Sequence, residues 1–285
     1  MKKFLILIIF SCLILFSLTY AQDNPPNTPI KLIGLTISEN IDQDEYGLTI
    51  IDGIFSIINF EEIPNADSFP VYSRWIGTGS HNIEINLLTP EKDKVLSQLT
   101  DTLDLTEENE VIYAFDYFED VSFEKAGIYW VQAKADGQIE KEIPLFVTVG
   151  DSDIPNLESL DKAPILLFSV PSLDVYENDN GLITVSGVFE YYQTQKLPFT
   201  DTFIIATSWL SGNGNFTQHV EILSPDGTML ASTEPQLLTA EYASVAVLTD
   251  YIQNLSFEKA GDYFVKIYLD DKEVGNFVIK VVKSE

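Results

Sequence analysis

The segment Ser122-Phe-Glu-Lys-Ala-Gly127 recurs letter for letter as Ser256–Gly261, and a tyrosine follows two positions later in both places, at Tyr129 and Tyr263. The two copies are 134 residues apart. Gly47–Phe55 stands the same distance before Gly181–Phe189, and Gly77-Thr-Gly79 and Pro90 precede Gly212-Asn-Gly214 and Pro225 by 135. Collinear matches at one period mean an internal duplication, so the chain must fold as two copies of one unit.

The ends and the charge restrict the setting. Met1-Lys-Lys3 leads into a charge-free, largely apolar run from Phe4 to Leu18, and Ala21 offers a small residue before Gln22. This is the pattern of a secretory signal peptide over residues 1–21. An uncleaved anchor or a lipid on Cys12 would be the competing fates; the placement of Ala21 and the apolar residues after Cys12 favour cleavage. The remaining 264 residues contain no cysteine, because Cys12 is the only one. Disulfides, thiol nucleophiles and thiolate metal sites are thereby excluded from the mature chain. Cysteine-free export points to a secreted or periplasmic protein of a bacterium. The formal net charge of −28 becomes −30 without Lys2 and Lys3. A surface of that sign repels phosphate backbones and anionic lipid, so neither nucleic acid nor membrane insertion of the mature chain is expected.

Period-two alternation dominates both copies. Asn82–Leu87 and His219–Ile222 alternate polar and apolar residues, and Leu48–Phe55 and Leu182–Phe189 are rich in β-branched and aromatic types. Turn signals such as Pro225-Asp-Gly227 and Ala135-Asp-Gly137 separate the runs. The first copy offers strand starts near Ile30, Leu48, Val71, Ile83, Val95, Val111, Ile128 and Ile143. The expected fold is all-β: two tandem antiparallel sandwiches, immunoglobulin-like or jelly-roll-like, over residues 28–149 and 165–283. Residues 150–164, acidic and containing Ser and Pro, read as an exposed linker, and each half is expected to fold alone. Tyr129 and Tyr263 sit where a sandwich places a tyrosine that pins the preceding loop.

The order of these features resembles an uncharacterised family of small bacterial β-sandwich domains, here in tandem. The residues carrying the resemblance are Gly53, Phe55, Pro70, Pro90, Phe123, Gly127 and Tyr129, matched in the second copy by Gly187, Phe189, Pro198, Pro225, Phe257, Gly261 and Tyr263. The resemblance covers nearly all of the mature chain and implies a fold. It brings no activity with it.

Chemistry is sparse. The two histidines, His81 and His219, do not align at the repeat period, and no HExxH, Gly-x-Ser-x-Gly or phosphate loop occurs. Both are expected to be structural or solvent-facing. Carboxylates at matching positions are few beyond Glu124 and Glu258, for which Lys125 and Lys259, or nearby backbone amides, are the expected partners. No catalytic residue and no cofactor is assigned. The most concrete site is a calcium loop at Asp42, Asp44 and Glu45, with oxygen ligands at alternate positions and Gly47 for the turn, although the closing Glu of a helix-loop-helix site is missing. Trp75, Trp130, Trp209, Phe264 and the Tyr191–Tyr192 pair are the aromatics that a carbohydrate-binding module would expose; burial is the plainer expectation. The sequence reads as a non-enzymatic exported protein with a binding or structural role toward a protein or glycan. A carbohydrate-binding module is the first alternative, and a hydrolase with paired carboxylates the second.

Overall fold

A computed structural model describes residues 29–284, apart from 153, 155–156, 158–159 and 211. The signal-like segment 1–21 lies outside the described residues. The first copy holds β1 (Lys31–Gln43), β2 (Thr49–Ile54), β3 (Ile57–Phe60), β4 (Asn65–Leu88), β5 (Val95–Phe123), β6 (Gly127–Ala135) and β7 (Gln138–Val149). The second holds β8 (Ile165–Ser172), β9 (Asp174–Glu177), β10 (Ile183–Val188), β11 (Tyr191–Thr194), β12 (Phe199–Leu210), β13 (Gly214–Leu223), β14 (Met229–Ser232), β15 (Gln236–Ala240), β16 (Val245–Phe257), β17 (Gly261–Leu269) and β18 (Lys272–Lys283). Register obeys the repeat: Asn65 pairs with Phe123 as Phe199 pairs with Phe257.

Each copy is a two-sheet sandwich, and β4 shows how its layers connect. Its first half pairs with β1 and its second half with β6, while β5 follows it along nearly its whole length. The strand starts expected separately at Val71 and Ile83 therefore lie on one strand, as do those at Val95 and Val111. In the second copy the same path is cut. One extra residue lies just before Gly212-Asn-Gly214, where β12 and β13 separate, and both glycines have positive φ (97° and 146°). Pro235, which stands where Thr100 stands in the first copy, separates β14 from β15 because proline has no N–H to give a ladder. The sandwiches are not purely antiparallel: β3 runs parallel to β7, and β11 parallel to β18.

The repeated motif is a packing device. Tyr129 donates its hydroxyl to the Lys125 carbonyl and Tyr263 to the Lys259 carbonyl, each at 2.9 Å, so both loops are pinned as expected. Phe123 meets Tyr129 edge-on at 5.0 Å, and Phe257 meets Tyr263 at 4.9 Å. A Cβ on Gly127 or Gly261 would fall 3.1 or 2.9 Å from the ring of Pro90 or Pro225, which explains that Pro and Gly pair. Two expectations need correction. Lys125 binds Glu91 and Lys259 binds Asp226, while Glu124 and Glu258 accept from Ser122 and Ser256. The counterpart of Pro198 is Pro64 rather than Pro70: both precede the strand that starts one residue later, and Pro70 faces Tyr117 inside β4.

The copies meet edge to edge across a pseudo-twofold axis. Gly34 of β1 lies opposite Phe168 of β8, and Ile51 of β2 lies opposite Val185 of β10. The members of each pair are repeat equivalents, 134 residues apart, which is the signature of an isologous interface. Gly34 permits the approach, since a Cβ there would sit 3.1 Å from that of Phe168. The hydrophobic core runs through this seam, joining Leu35, Ile51 and Trp75 with Phe168, Val170, Val185 and Ala206. Arg74 breaks the symmetry of the seam. Arg74, fully buried, donates Nε to Glu190 at 2.8 Å and Nη2 to its other carboxylate oxygen, and Nη1 to the Ser169 carbonyl at 2.9 Å. The equivalent positions on the other side of the axis hold Ser208 and Ser56.

Strands pair and a core continues across the two halves. Between them, Ile154, Leu157 and Leu160 pack on that core, and the Lys162 carbonyl accepts from the Asn213 amide at 2.8 Å. Glu190→Gln should cost about 3–5 kcal/mol in denaturant unfolding, because it leaves a buried guanidinium without its charge partner. The double variant Arg74→Met, Glu190→Met should recover most of that loss. A single variant within 1 kcal/mol of wild type would show that the pair does not hold the seam.

Candidate functional site

The residues singled out from the sequence fall mainly into structural roles. Asp44 accepts the amides of Tyr46 and Leu48 at 2.8 Å each, closing the turn between β1 and β2. Its repeat partner Asn178 does the same for Asn180 and Leu182 at 3.0 Å. Asp42 accepts from the Gln43 amide, and Glu45 lies at the surface. The same turn thus forms with a neutral Asn, and among the described residues no three His, Asp or Glu side chains gather around a point. His81 is buried between Asp136 (2.7 Å) and the Thr78 carbonyl (3.1 Å); burial lowers its pKa, and the hydrogen bonds to Asp136 and Thr78 together with the Asp136 charge raise it on balance. His219 stacks on Tyr268 at 4.6 Å. Trp75 and Trp209 are core residues, and the ring of Trp130 is covered by the Lys92 ammonium at 3.8 Å. Phe264 and Tyr191 remain exposed.

The site that the sequence did not reveal is a cleft of about 890 Å³ in the second copy, walled by β14 and the start of β15 on one side and by β16 on the other. Its floor is a buried polar network. Asp250, 1 % exposed, accepts from Gln218 Nε2 at 2.8 Å and Gln236 Nε2 at 2.7 Å, while the Trp209 indole N–H donates to Gln218 Oε1 at 2.6 Å. Burial raises the pKa of Asp250; hydrogen bonds from Thr233, Gln236 and Gln218 offset part of the rise. Among the described residues no cation pairs with this carboxylate, and neutral amides carry its solvation. Above the floor, Tyr251 is 64 % exposed, and Gln253, Asn254, Ser232 and Ser256 line the walls.

In the first copy a cavity of about 220 Å³ overlaps the equivalent place at Leu99, Asp101, Phe115 and Asp116. There Asp116 replaces Asp250 and is exposed, Ile83 replaces Gln218, and Asp101 replaces Gln236. The strand break at Pro235 explains the difference in size. Thr233-Glu234-Pro235 bulges out of the ladder, and Thr233 Oγ1 takes over a backbone role by accepting the Val220 amide at 2.9 Å. In the first copy Thr100 pairs with Glu84 and the wall stays closed. A sequence signal existed: an Asp in the apolar run Val245–Ile252, and a Pro where the sister strand has Thr.

Comparison with known proteins agrees with this repeat architecture. The model of a family of unknown function, DUF6941, matches residues 34–148 and again 173–282. The chain belongs to this family. Its two matches correspond to the two sandwiches, so this DUF6941 protein carries the family domain in duplicate. A search of curated proteins returned no match. Among solved structures, the chain is similar to the CARDB domain of the PF1109 protein from Pyrococcus furiosus, determined in complex with di-metal ions. The identity is 13 %, the match covers 44 % of this chain and 99 % of that one, and the TM-score is 0.24.

The Asp250 network yields a pH prediction. A carboxyl whose folded pKa lies above its unfolded value keeps its proton longer in the folded state. Its contribution to stability is then complete below the unfolded value, about 3.9, and is lost as pH rises through the raised folded one. The stability difference between wild type and Asp250→Ala should fall across that window. Gln218→Leu, which removes one donor, should push the Asp250 midpoint higher in a carboxyl carbon NMR titration and cost about 1–3 kcal/mol. An unmoved midpoint would remove Gln218 from the network.

Proposed function

We propose that the chain is an exported, non-enzymatic binding protein, and that the cleft of its second copy takes a neutral, hydroxyl-rich ligand of the oligosaccharide class. The observation carrying this reading is the divergence of the duplicated clefts: one is closed, and the other is wide, with a buried polar floor. Side-chain amides and hydroxyls that both donate and accept, beside the exposed ring of Tyr251, suit sugar hydroxyls and an apolar sugar face. The Asp250 carboxylate is enclosed, with both oxygens engaged, which supports a positioning role over direct acid catalysis. The first copy serves as the docked support that covers the seam side of the second. Export rests on the segment Met1–Ala21 and the cysteine-free remainder.

Titration of the full chain with oligosaccharides from a glycan array should yield at least one saturable ligand, with Tyr251→Ala weakening it about tenfold, equivalent to about 1.4 kcal/mol. Absence of any glycan hit, or a hit indifferent to Tyr251→Ala, would refute the cleft as a glycan site. For export, mass spectrometry of the protein from its native host should find a chain starting at or near Gln22. Intact Met1, or a lipid on Cys12, would contradict it.

A further inference from the structure

A second cavity, about 320 Å³, lies where the first copy meets the second. Its walls are mostly apolar, with Leu32, Leu166, Ile267 and Phe277 contributing, and two lysines of the first copy, Lys31 and Lys141, reach it. Lys141 extends from β7 across the seam and donates to the Leu166 carbonyl of β8 at 2.5 Å. That bond uses one of three ammonium donors. Among the described residues neither Lys141 nor Lys31 is within ion-pair distance of a carboxylate. Burial of the Lys141 ammonium, with Lys31 nearby, brings its pKa down to about 8. Glu273, which feels the charge of Lys31, is taken by Lys266 at 3.0 Å and by Asn276 at 2.9 Å.

This arrangement is unusual for such a chain. Acidic residues outnumber basic ones 44 to 16, yet two cations converge on one apolar pocket without a counterion among the described residues. An enclosed ammonium lacking a partner is costly, and a structural role alone would be served better by a neutral side chain. It is also specific to one side of the molecule. The repeat partner of Lys141 is Gly275 and that of Lys31 is Ile165, so the pseudo-twofold does not reproduce the pair. We propose that this seam pocket binds a small organic carboxylate with an apolar body, its carboxylate held by Lys141 and Lys31 and its body against Leu32, Leu166 and Phe277. The pocket has room for roughly ten water volumes, and apolar walls with few convergent polar groups are the usual form of a small-molecule site. A free phosphate has no apolar body to fill the pocket, and its oxygens directed away from the two lysines would face hydrocarbon.

Benzoate and hexanoate serve as probes, with inorganic phosphate as the comparison, in calorimetric titration of the full chain at pH 7. Saturable binding of an organic carboxylate is expected, with Lys141→Met weakening it at least tenfold and Lys31→Met several-fold, while phosphate binds more weakly than either probe. A purely structural Lys141 would make Lys141→Met unfold more easily; the proposal expects its melting temperature to hold or rise without ligand and to lose its response to benzoate. If Lys141→Met fails to fold, the wild-type protein still decides. Limiting amine acylation at pH 8, located by peptide mass mapping, should favour Lys141, and benzoate should block it. Failure of both carboxylates to bind, binding indifferent to both lysines, or acylation of Lys141 unaffected by benzoate would overturn the site. Phosphate binding as tightly as benzoate would overturn the assigned ligand class. None of these outcomes bears on the glycan cleft, which lies on another face of the second copy.

Discussion

The seam between β1 and β8 is the constraint on which the rest of the molecule depends. A sandwich edge is a row of unpaired amides and carbonyls, and such edges must be paired, covered or charged. Here each copy covers the edge of the other, with Gly34 opposite Phe168 and Ile51 opposite Val185. Because these pairs are repeat equivalents, the contact is the kind two identical chains make around a twofold axis. Duplication has placed both partners on one chain. The buried pair Arg74–Glu190 then distinguishes first from second copy, since two first copies would oppose Arg74 with Ser56, and two second copies would oppose Ser208 with Glu190. Either mismatch leaves a buried charge unpaired, which costs far more than an absent bond.

Once the copies are locked, they are free to diverge. Each has spent that freedom differently on the same strand path. The first keeps β4 and β5 continuous over 24 and 29 residues and has a narrow cleft. The second interrupts both, by one inserted residue just before Gly212 and by Pro235, and the opened wall leaves a wide cleft over the buried network of Asp250, Gln218, Gln236 and Trp209. The two halves thus differ in the openness of their clefts while sharing a core. The seam pocket with Lys141 shows the same asymmetry, since its two cations belong to the first copy and most of its walls to the second.

Local pattern alone carried the fold class, the duplication and the two pinned tyrosines. Alternation is a property of a single strand, and a six-residue repeat with a Tyr two positions on is a single turn, so neither needs distant partners to be recognised. The calcium loop illustrates the limit of such reading. Oxygen-bearing residues at alternate positions suit both a cation and a turn, and here Asp44 accepts the amides of Tyr46 and Leu48. Asp250 is the converse. Its sequence neighbours say nothing of ligand chemistry, because its partners come from strands 14 and 32 residues away.

The sequence by itself determined that this chain is two all-β copies of one unit, acidic, without cysteine beyond Cys12, and built on a Pro–Gly–Tyr packing motif. All of these follow from composition or from contacts between residues close in the chain or repeated at a fixed period. Only the tertiary structure decided that the copies form one body, that the intervening segment packs, that Arg74 meets Glu190, and that one cleft opens while its twin closes. Those outcomes depend on pairings between residues up to 187 positions apart, such as Ser56 with Ala243. Long-range register of that kind is set by which edges and faces remain uncovered after each strand has formed, a global quantity that no local pattern encodes.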